Sequence, residues 1–415
     1  MKRDAVAVIG AGIVGLAIAH HLRREGAEVI VVDRDPAGDK ASFGNAGGIA
    51  VTEVVPASVP GLAWRVPRWL LDPLGPLAVR PSHVPKLIPW LWRFSRAGTS
   101  KEVVRISAAL AALNGRVYDD LRPMLAEADL SGELIERGAL TVYETEAGFR
   151  RDFDEWALKR THDIQLEELS GTEVRKLEPA LGPIVHRAIF TPQWSHIRDP
   201  KHLVDSLRRS LQMRGVKIVV GDVHDISAPA ADRAQVQLKG GRTVFAAKVV
   251  IAAGAWSGSL ASCLGDRVLL ESERGYNTTL PDPGVDLCRE VIFAERKFVA
   301  TPLSCGLRIG GAAEFGGLDA KANYKRSQAL VTLASRYLPD LKTQGGTNWA
   351  GHRPATPDSL PVIGASPSNP NVFYAFGHGH LGLTQAATTG RLIADLIVGK
   401  PTTIDIAPYA IARFS

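Results

Sequence analysis

The residues with the clearest chemical meaning are three glycines near the start of the chain, in the segment GAGIVG at positions 10–15. Their spacing is typical of a strand-to-helix turn that binds the pyrophosphate of a dinucleotide, because glycines let the phosphates approach the backbone and the helix N terminus offers N–H donors. Asp33 follows about twenty residues later, at the end of a second apolar run, where a carboxylate can bind ribose hydroxyls. Together the motif and Asp33 predict a dinucleotide-binding site.

Two further glycine-rich segments lie at 42–49 (SFGNAGGI) and 377–384 (GHGHLGLT). The first is too rich in glycine for a core element, so its backbone can approach a flat ring. The second opens a helical run whose N–H groups suit an anion such as a reduced flavin. Too few residues follow it for a second complete dinucleotide fold, which argues against separate FAD and NAD sites. Asp33 disfavours the 2′-phosphate of NADP, although Arg34 beside it leaves that alternative open.

The elements that position these loops can be inferred from the apolar pattern. Residues 5–9 and 28–32 form apolar runs rich in β-formers, and residues 13–24 between them have helical spacing. Apolar strands joined by a helix are typical of a parallel sheet covered on both faces. The pattern returns later in the chain, with strands predicted at 216–220, 243–252 and 371–376 and helices at 107–128, 201–213 and 383–398.

Residues 54–98 interrupt this pattern with eight prolines and four tryptophans. Prolines at this density break helices and exclude central strands, so we predict short elements and no regular amphipathic helix there. Residues 260–347 alternate more, which suits antiparallel strands. The predicted fold class is α/β, with a discontinuous Rossmann-like domain and an α+β substrate domain carrying an antiparallel sheet. The predicted ranges are 1–52, 185–259 and 345–415 for the Rossmann-like domain and 53–184 and 260–344 for the substrate domain.

Composition argues against several other functions. The formal charge of +6 could suit nucleic acid, but Lys and Arg are interspersed, so we expect no nucleic-acid binding. Three scattered cysteines, Cys263, Cys288 and Cys305, argue against a disulfide framework, a zinc site or a redox dithiol, and we predict no metal. The apolar run at 5–19 is too short to span a bilayer, so we expect no targeting segment and a cytoplasmic protein.

The tryptophans and arginines of segment 64–96 leave one alternative open. Such residues favour lipid interfaces, so the segment could make peripheral contact with the inner face of the membrane. The interpretation that we favour is a proline-broken cover over the active site.

Taken in order, the motifs resemble those of one known family. They are GAGIVG with Asp33, GNAGG at 44–48, VIAAGAWS at 250–257, RIGGAAEF at 308–315, WAGHRPATPD at 349–358 and GHGHLGLT at 377–384. They are similar to the D-amino-acid oxidase superfamily along essentially the whole chain, and look most like bacterial FAD-dependent D-amino-acid dehydrogenases, with glycine and sarcosine oxidases as cousins. The resemblance implies that the Rossmann-like domain binds FAD, non-covalently because no cysteine has a matching context.

The resemblance also implies roles for single residues. Arg353, in a GxRP segment, would pair with the substrate carboxylate through its planar guanidinium. His380 stands where relatives such as glycine oxidase carry a second arginine, so it would offer a hydrogen bond to substrate or flavin instead. Phe298 stands where some relatives have a tyrosine, and Tyr276 is the candidate to supply that hydroxyl. Simple lining of the cavity is the alternative for both rings.

The residues expected to hold FAD lie in the glycine-rich segments and beside the strand ends. They are Gly10, Gly12, Ile13, Val14, Gly15, Asp33, Arg34, Ser42, Asn45, Ala46, Gly47, Gly48, Ile49, Val223, Ala253, Gly254, Trp256, Gly379, His380, Leu381, Gly382, Leu383 and Thr384.

The expected reaction is hydride transfer from Cα of a D-amino or D-imino acid to flavin N5, giving an imino acid or a 2-oxo acid. Phe298 and His380 predict a pocket that is less charged and roomier near Cα, which suits a compact, neutral side chain or a ring such as D-proline or hydroxy-D-proline. The expected electron acceptor is a quinone or another acceptor rather than O₂. The alternative is an O₂-using amine oxidase of the glycine or sarcosine type.

Overall fold

The computed structural model describes residues 5–62, 66–72, 75–230 and 233–414. Trp64 and Pro73, which belong to the proline-rich segment, lie outside these ranges. The strands are β1 (Val6–Ile9), β2 (Val29–Asp33), β3 (Gly48–Ile49), β4 (Leu77–Val79), β5 (Leu134–Ile135), β6 (Ala139–Tyr143), β7 (Glu167–Ser170), β8 (Arg187–Thr191), β9 (Ser195–Ile197), β10 (Lys217–Val220), β11 (Val223–Ala230), β12 (Arg233–Leu238), β13 (Thr243–Ala246), β14 (Lys248–Ile251), β15 (Glu271–Leu280), β16 (Glu290–Phe293), β17 (Phe298–Leu303), β18 (Gly306–Phe315), β19 (Thr347–Ala355), β20 (Val362–Ala365) and β21 (Val372–Phe376). The α-helices are α1 (Ile13–Arg24), α2 (Val66–Leu71), α3 (Val84–Ala97), α4 (Ser100–Asn114), α5 (Val117–Glu127), α6 (Glu146–Arg151), α7 (Phe153–Arg160), α8 (Gly171–Leu177), α9 (Pro200–Met213), α10 (Ser257–Cys263), α11 (Lys325–Ala334) and α12 (Gly382–Val398).

A six-stranded sheet in the order β10-β2-β1-β14-β21-β20 forms the Rossmann-like layer. Its strands pair in parallel except β20, which is antiparallel to β21. Side chains of β1 alternate between the two faces: Val6 and Val8 pack into one core with α1, α9 and α12, and Ala7 and Ile9 pack into another beneath the sheet β11-β12-β13. Burial on both faces explains why these strands are apolar throughout.

Helices α1 and α12 pack closely on one face of that sheet. Gly390 makes this possible, because a Cβ there would lie 2.7 Å from the backbone of Ala17. The carboxyl ends of β1 and β2 and the start of α12 thereby come to the same side of the molecule.

The larger sheet follows the order β19-β15-β18-β17-β16-β6-β8-β7, with β4 paired to β18. Most of its pairs are antiparallel, as the alternation in residues 260–347 predicts. β8 and β19 belong to this sheet, although they fall inside the ranges 185–259 and 345–415 that the sequence assigns to the Rossmann-like domain. The chain therefore leaves the large sheet a little after positions 185 and 345 rather than at them. The domain ranges themselves stay a prediction.

Three expectations about local structure are wrong. The helix predicted at 107–128 is two helices, α4 and α5, because the chain breaks at Gly115 and Arg116. The strand predicted at 243–252 is β13 and β14, which enter different sheets.

The third correction concerns the proline-rich segment, where α3 is a regular amphipathic helix. Pro85 lies in its first turn, where a missing N–H costs nothing, and Pro89 is accommodated inside. Trp90 is buried on the inner face, whereas Ile88 and Trp92 are exposed on the outer face. No helix in the described part of the chain is both long and apolar enough to cross a bilayer.

Candidate active site

A cavity of about 1070 Å³ lies between the carboxyl ends of the parallel strands and the large antiparallel sheet. It is lined by the glycine-rich turn after β1, the segment after β2 and the start of α12, together with residues of β15, β18 and β19. Open α/β sheets bind their ligands at the carboxyl ends of the strands, so the position is the one expected for a dinucleotide. Its volume suits a large ligand.

The three glycines of the GAGIVG turn are required for different physical reasons. A Cβ on Gly10, which has φ +112°, would lie 2.3 Å from Ala252 O, and one on Gly15 would lie 2.0 Å from Gly10 O. These two glycines are required by packing within the protein. Gly12 is different, since a Cβ there would meet only Ser42 Oγ at 3.5 Å and would otherwise project into the cavity. Gly12 is therefore the glycine that leaves room for a ligand.

The Asp33 carboxylate joins the turn after β1 to the segment after β2. Its Oδ2 accepts a hydrogen bond from Ala11 N at 2.7 Å, and its Oδ1 accepts from Lys40 Nζ and Asp35 N, both at 2.8 Å. A carboxylate has about four acceptor positions, so one remains for a ribose hydroxyl. Asp33 lines the cavity, as its predicted role requires.

A tryptophan and an arginine form the wall at the nucleotide end. The Arg34 guanidinium lies 3.9 Å from the centre of the Trp256 ring, a cation–π contact that holds both over the cavity. Val223, Ala253 and Gly254 line the same region. Arg34 is thus committed to Trp256 in the structure.

The two other glycine-rich segments meet in front of α12. Ala50 N donates to Thr384 Oγ1 at 3.0 Å, which joins the end of the first segment to the start of the helix. Arg308 fixes the first segment from the large sheet, because its Nη1 donates to Asn45 O at 2.6 Å and Phe43 O at 3.1 Å. Gly379 has φ +53° and nothing within 4 Å of an added Cβ, so its backbone faces open space.

Most of the residues predicted to hold FAD line this cavity, including Gly12, Asp33, Arg34, Asn45 and Gly48. Five do not line it: Gly15, Gly47, Ile49, Leu381 and Thr384. Two of them support the loops from behind: Gly15 packs against Gly10 O, and Thr384 accepts a bond from Ala50 N. The open cradle at Gly12 and the free acceptor position on Asp33 fit the ribose and phosphates of a flavin dinucleotide. At the start of α1, Ile13 N donates to Ser42 Oγ at 3.1 Å and the N-cap residue Gly12 brings no side chain of its own, so the helix N terminus stays open to phosphate.

Arg353 reaches the cavity from β19 and is held there by its neighbours. Its Nη1 donates to Glu273 Oε1 at 2.7 Å and to Ala312 O at 3.3 Å. The guanidinium lies across Gly275, where a Cβ would come within 2.5 Å of Cζ. No described side chain accepts from its Nε or Nη2, which leaves donors for a ligand carboxylate.

Tyr276 and Phe298, the two aromatic candidates, differ in the contacts that they could make with a substrate. The Tyr276 hydroxyl donates to Glu314 and accepts from Asn323 N at 3.0 Å, so it is engaged away from a ligand. The Phe298 ring stacks on Phe293 with ring centres 4.2 Å apart. Both rings line the cavity, which agrees better with their alternative role as lining.

His380 has its surface on the cavity, between the start of α12 and Arg353. Desolvation lowers its pKa and the Arg353 charge adds to this, while Glu273 and Glu53 oppose it. The histidine is therefore a neutral hydrogen-bonding group near pH 7. His378 is structural, because it is buried, shares a hydrogen bond with Thr389 Oγ1 at 2.9 Å, and has its pKa lowered to about 3 by desolvation.

Sequence reasoning missed a charged cluster on the cavity wall. Lys159 of α7, buried beside the Trp156 ring, bridges Glu53 at 2.8 Å and Glu155 at 3.1 Å. Glu290 of β16 is also buried, and burial raises its pKa to about 8. All four ionisable groups line the cavity, and the expectation of a less charged pocket near Cα stays a prediction. The one local signal was Glu53, an acid close behind a glycine-rich segment.

Comparisons with known proteins agree with this geometry. A "D-amino-acid oxidase" of Bradyrhizobium diazoefficiens is 35% identical over 99% of this chain and 98% of its own length. A "D-amino acid dehydrogenase" of Granulibacter bethesdensis is 30% identical over 99% of each. The crystal structure of glycine oxidase from Geobacillus kaustophilus shares the fold, with a TM-score of 0.74 at 22% identity over 99% of both chains.

The family model described as DAO, FAD dependent oxidoreductase, matches residues 5–396, which include the whole cavity wall. With that match and the full-length relatives, the chain belongs to the DAO family of FAD-dependent oxidoreductases.

Proposed function

We propose that the enzyme oxidises D-amino or D-imino acids, with Arg353 as the carboxylate-binding residue. The observation that carries the proposal is the placement of Arg353. Its guanidinium lines the same cavity as Gly12, Asp33 and Gly48, and it is oriented by Glu273 with donors left over. The names of the two relatives, both of which act on D-amino acids by name, support the stereochemistry.

The protein contributes binding and orientation to this reaction. FAD, when bound, supplies the oxidising group that accepts a hydride from Cα. Arg353 would hold the carboxylate in a fixed plane, because a guanidinium pairs with it through two parallel N–H donors. Neutral His380 would offer a further hydrogen bond. Phe298, with Phe293 stacked on it, would limit access of water to the reacting carbon.

Within this class, the narrower proposal is a compact side chain or a ring, such as D-proline or hydroxy-D-proline. Phe298 offers an apolar face to a ring. Glu53, Lys159 and Glu290 on the cavity wall offer polar partners, which favours a ring that carries a hydroxyl or an amine. Oxidation of a cyclic imino acid gives an imine that can persist as a ring, whereas an open-chain product hydrolyses to a 2-oxo acid.

The proposed electron acceptor is a quinone or another acceptor, reached through peripheral contact with the membrane. Helix α3 supports this, since Ile88, Leu91 and Trp92 are exposed on its outer face. Arg93 and Arg96 lie 5.7 and 5.0 Å from the Trp92 ring, a combination that suits an anionic bilayer surface. The inner face of α3 packs against the large sheet close to the site, because Trp90 Nε1 donates to Ala355 O at 3.1 Å, two residues from Arg353.

An O₂-using oxidase is the second candidate, and the name of the 35% identical relative favours it. A panel of D- and L-amino acids with the purified holoenzyme tests both proposals, with dye reduction and peroxide followed in parallel. Turnover of D-enantiomers with dye and little peroxide is the expected result. Turnover of L-enantiomers alone would overturn the proposed function, and stoichiometric peroxide in air would assign the enzyme as an oxidase.

A further inference from the structure

Glu53 is an acidic side chain on the cavity wall, three residues after Ala50, whose N–H joins the first glycine-rich segment to Thr384 of α12. It lies four positions after the end of β3. Its backbone is fixed by two bonds of 3.0 Å, from its N to Ala50 O and from Asn114 Nδ2 to its O. Its side chain is 30% exposed, and that surface faces the cavity. The anchored backbone gives the carboxylate a defined position at the substrate end.

One oxygen of this carboxylate is committed and the other is available. Lys159 Nζ lies 2.8 Å from Glu53 Oε1 and is itself only 2% exposed. Among the described residues, nothing donates to Glu53 Oε2. The ion pair therefore holds the carboxylate rigidly while leaving one oxygen to accept a hydrogen bond from a ligand.

Several charged groups face Glu53 from the surrounding elements. Burial alone would raise its pKa, but Lys159 of α7, followed by His380 and Lys297, lowers it overall. Glu155 shares Lys159 at 3.1 Å. Glu290 of β16 is the other nearby carboxyl, and its raised pKa keeps it neutral at pH 7. Glu273 and Glu53 both act on His380. Glu273 is paired with Arg353 at 2.7 Å, whereas Glu53 is held ionised by Lys159 and is not engaged by Arg353.

The wall around His380 is complementary to a zwitterion. Arg353 and Glu53 both act electrostatically on this histidine, and so do Glu273 and Lys159. An α-amino acid presents a carboxylate and an ammonium one bond either side of Cα. Arg353 offers free N–H donors for the first group, and Glu53 offers a free oxygen for the second.

We propose that Glu53 binds the substrate ammonium group and accepts its proton before Cα is oxidised. This inference rests on the proposed function and adds the group that recognises the amine. In the step, an N–H bond of the ammonium breaks and an O–H bond forms on Glu53 Oε2, so the amine becomes neutral and the carboxylate becomes a carboxylic acid. Because Lys159 lowers the pKa of Glu53, this transfer is unfavourable at equilibrium and would be drawn forward by the next step. With FAD bound, the lone pair left on nitrogen would support loss of the hydride from Cα to FAD, and the proton would return to solvent during turnover.

Binding of two ligands that cannot be oxidised tests the recognition. 2-Aminoisobutyrate keeps the ammonium and has no hydrogen on Cα, whereas 2-methylpropanoate has nearly the same carbon skeleton without the amine. Calorimetry and the flavin spectrum of the holoenzyme would give both dissociation constants. In Glu53→Gln, the preference for the amine-bearing ligand should fall by about 10- to 100-fold, as expected for loss of a charged hydrogen bond. Binding of 2-methylpropanoate should change little.

Two further carboxylates provide matched controls. Glu155→Gln removes the other partner of Lys159 and should keep the wild-type preference for the amine. Glu273→Gln removes the partner of Arg353 and should weaken both ligands together. Equal weakening of the amine-bearing ligand in Glu53→Gln and Glu155→Gln would overturn the inference, since it would assign the effect to the charge of the cluster as a whole.

The pH profile tests the proton transfer separately. In Glu53→Gln the enzyme must take neutral amine from solution, so kcat/KM should rise roughly tenfold per pH unit up to the amine pKa. The wild type should reach its plateau at lower pH. Glu53→Asp keeps the charge for Lys159 but withdraws the oxygen, and should fall between the two. Identical pH profiles and ligand preferences in all three proteins would contradict the proposal.

These measurements distinguish a failure of the role proposed for Glu53 from a failure of the proposed function. If neither ligand binds to the wild-type holoenzyme and no amino acid is oxidised, the proposed function fails. If both ligands bind and D-amino acids turn over, but the substitutions at Glu53 leave the amine preference unchanged, only the role of Glu53 fails.

Discussion

Arg353→Lys is the substitution that tests the proposed carboxylate site most sharply. The change keeps the positive charge but removes the planar pair of donors. Arg353 Nη1 is already engaged by Glu273 at 2.7 Å, so the single ammonium of a lysine would go to that carboxylate and leave little for a ligand. Loss of a charged partner of this kind costs about 2–5 kcal/mol, or roughly 30-fold to several-thousand-fold in kcat/KM.

The assay needs three readouts on the same protein. Steady-state kinetics should show the loss in kcat/KM, and benzoate should perturb the wild-type flavin spectrum but not that of the variant. FAD content should stay near the wild-type value, because the guanidinium is assigned to the substrate.

Arg296→Lys is the matched control for this substitution. Arg296 makes a comparable two-donor pair with Glu144, at 2.7 and 2.9 Å, away from the cavity. It should retain both turnover and benzoate binding. If Arg353→Lys retains turnover and inhibitor binding while its melting temperature falls, Arg353 is a structural ion-pair residue and the site assignment is refuted.

Four other outcomes follow from the structure. Asp33→Ala should weaken FAD binding by about 1.5–3 kcal/mol. Mild denaturation should release the native flavin, and titrating FAD back into the stripped protein measures the affinity. Unchanged affinity would remove Asp33 from the FAD site. Glu290 has a pKa of about 8 when folded and about 4.5 when unfolded, so the folded protein binds the extra proton and its unfolding free energy falls as pH rises between these values. Glu290→Gln should therefore gain stability relative to wild type, by up to a few kcal/mol near pH 8 in thermal or urea unfolding, and parallel pH curves would count against the raised pKa. With a D-amino acid as substrate, the enzyme should reduce a dye faster than it reduces O₂ in the same assay. Rapid peroxide formation would show instead that the enzyme is an oxidase. The Trp92→Ser protein should co-sediment less than the wild type with anionic vesicles, and the two proteins should behave alike with neutral vesicles. Equal co-sedimentation of both proteins with anionic vesicles would argue against α3 as a membrane-contact surface.

The parts of the fold that could be predicted from sequence are those governed by local pattern. The β1–α1–β2 unit and its turn follow from apolar periodicity and from glycines within six positions of each other. Helix α12 follows in the same way from residues 382–398. Asp33 could be placed because it ends β2, one strand away from the turn that it binds.

What sequence reasoning missed depends on contacts between distant elements. Lys159 and Glu53 are 106 positions apart and meet only because α7 packs against the segment after β3. Glu273 faces Arg353 through the register of β15 and β19, which no local pattern specifies. Helix α3 was missed for a different reason, since proline at its first turn and at one interior position is tolerated when the helix packs against the large sheet.

The most direct test of the central claim is anaerobic mixing of the purified holoenzyme with single enantiomers while the oxidised flavin band is followed. This measures the first half-reaction alone, without any assumption about the electron acceptor. D-Proline or another compact D-amino acid should bleach the band in a single saturable phase, and the L-enantiomer should leave it unchanged. A flavin that no D-amino or D-imino acid reduces would contradict the account.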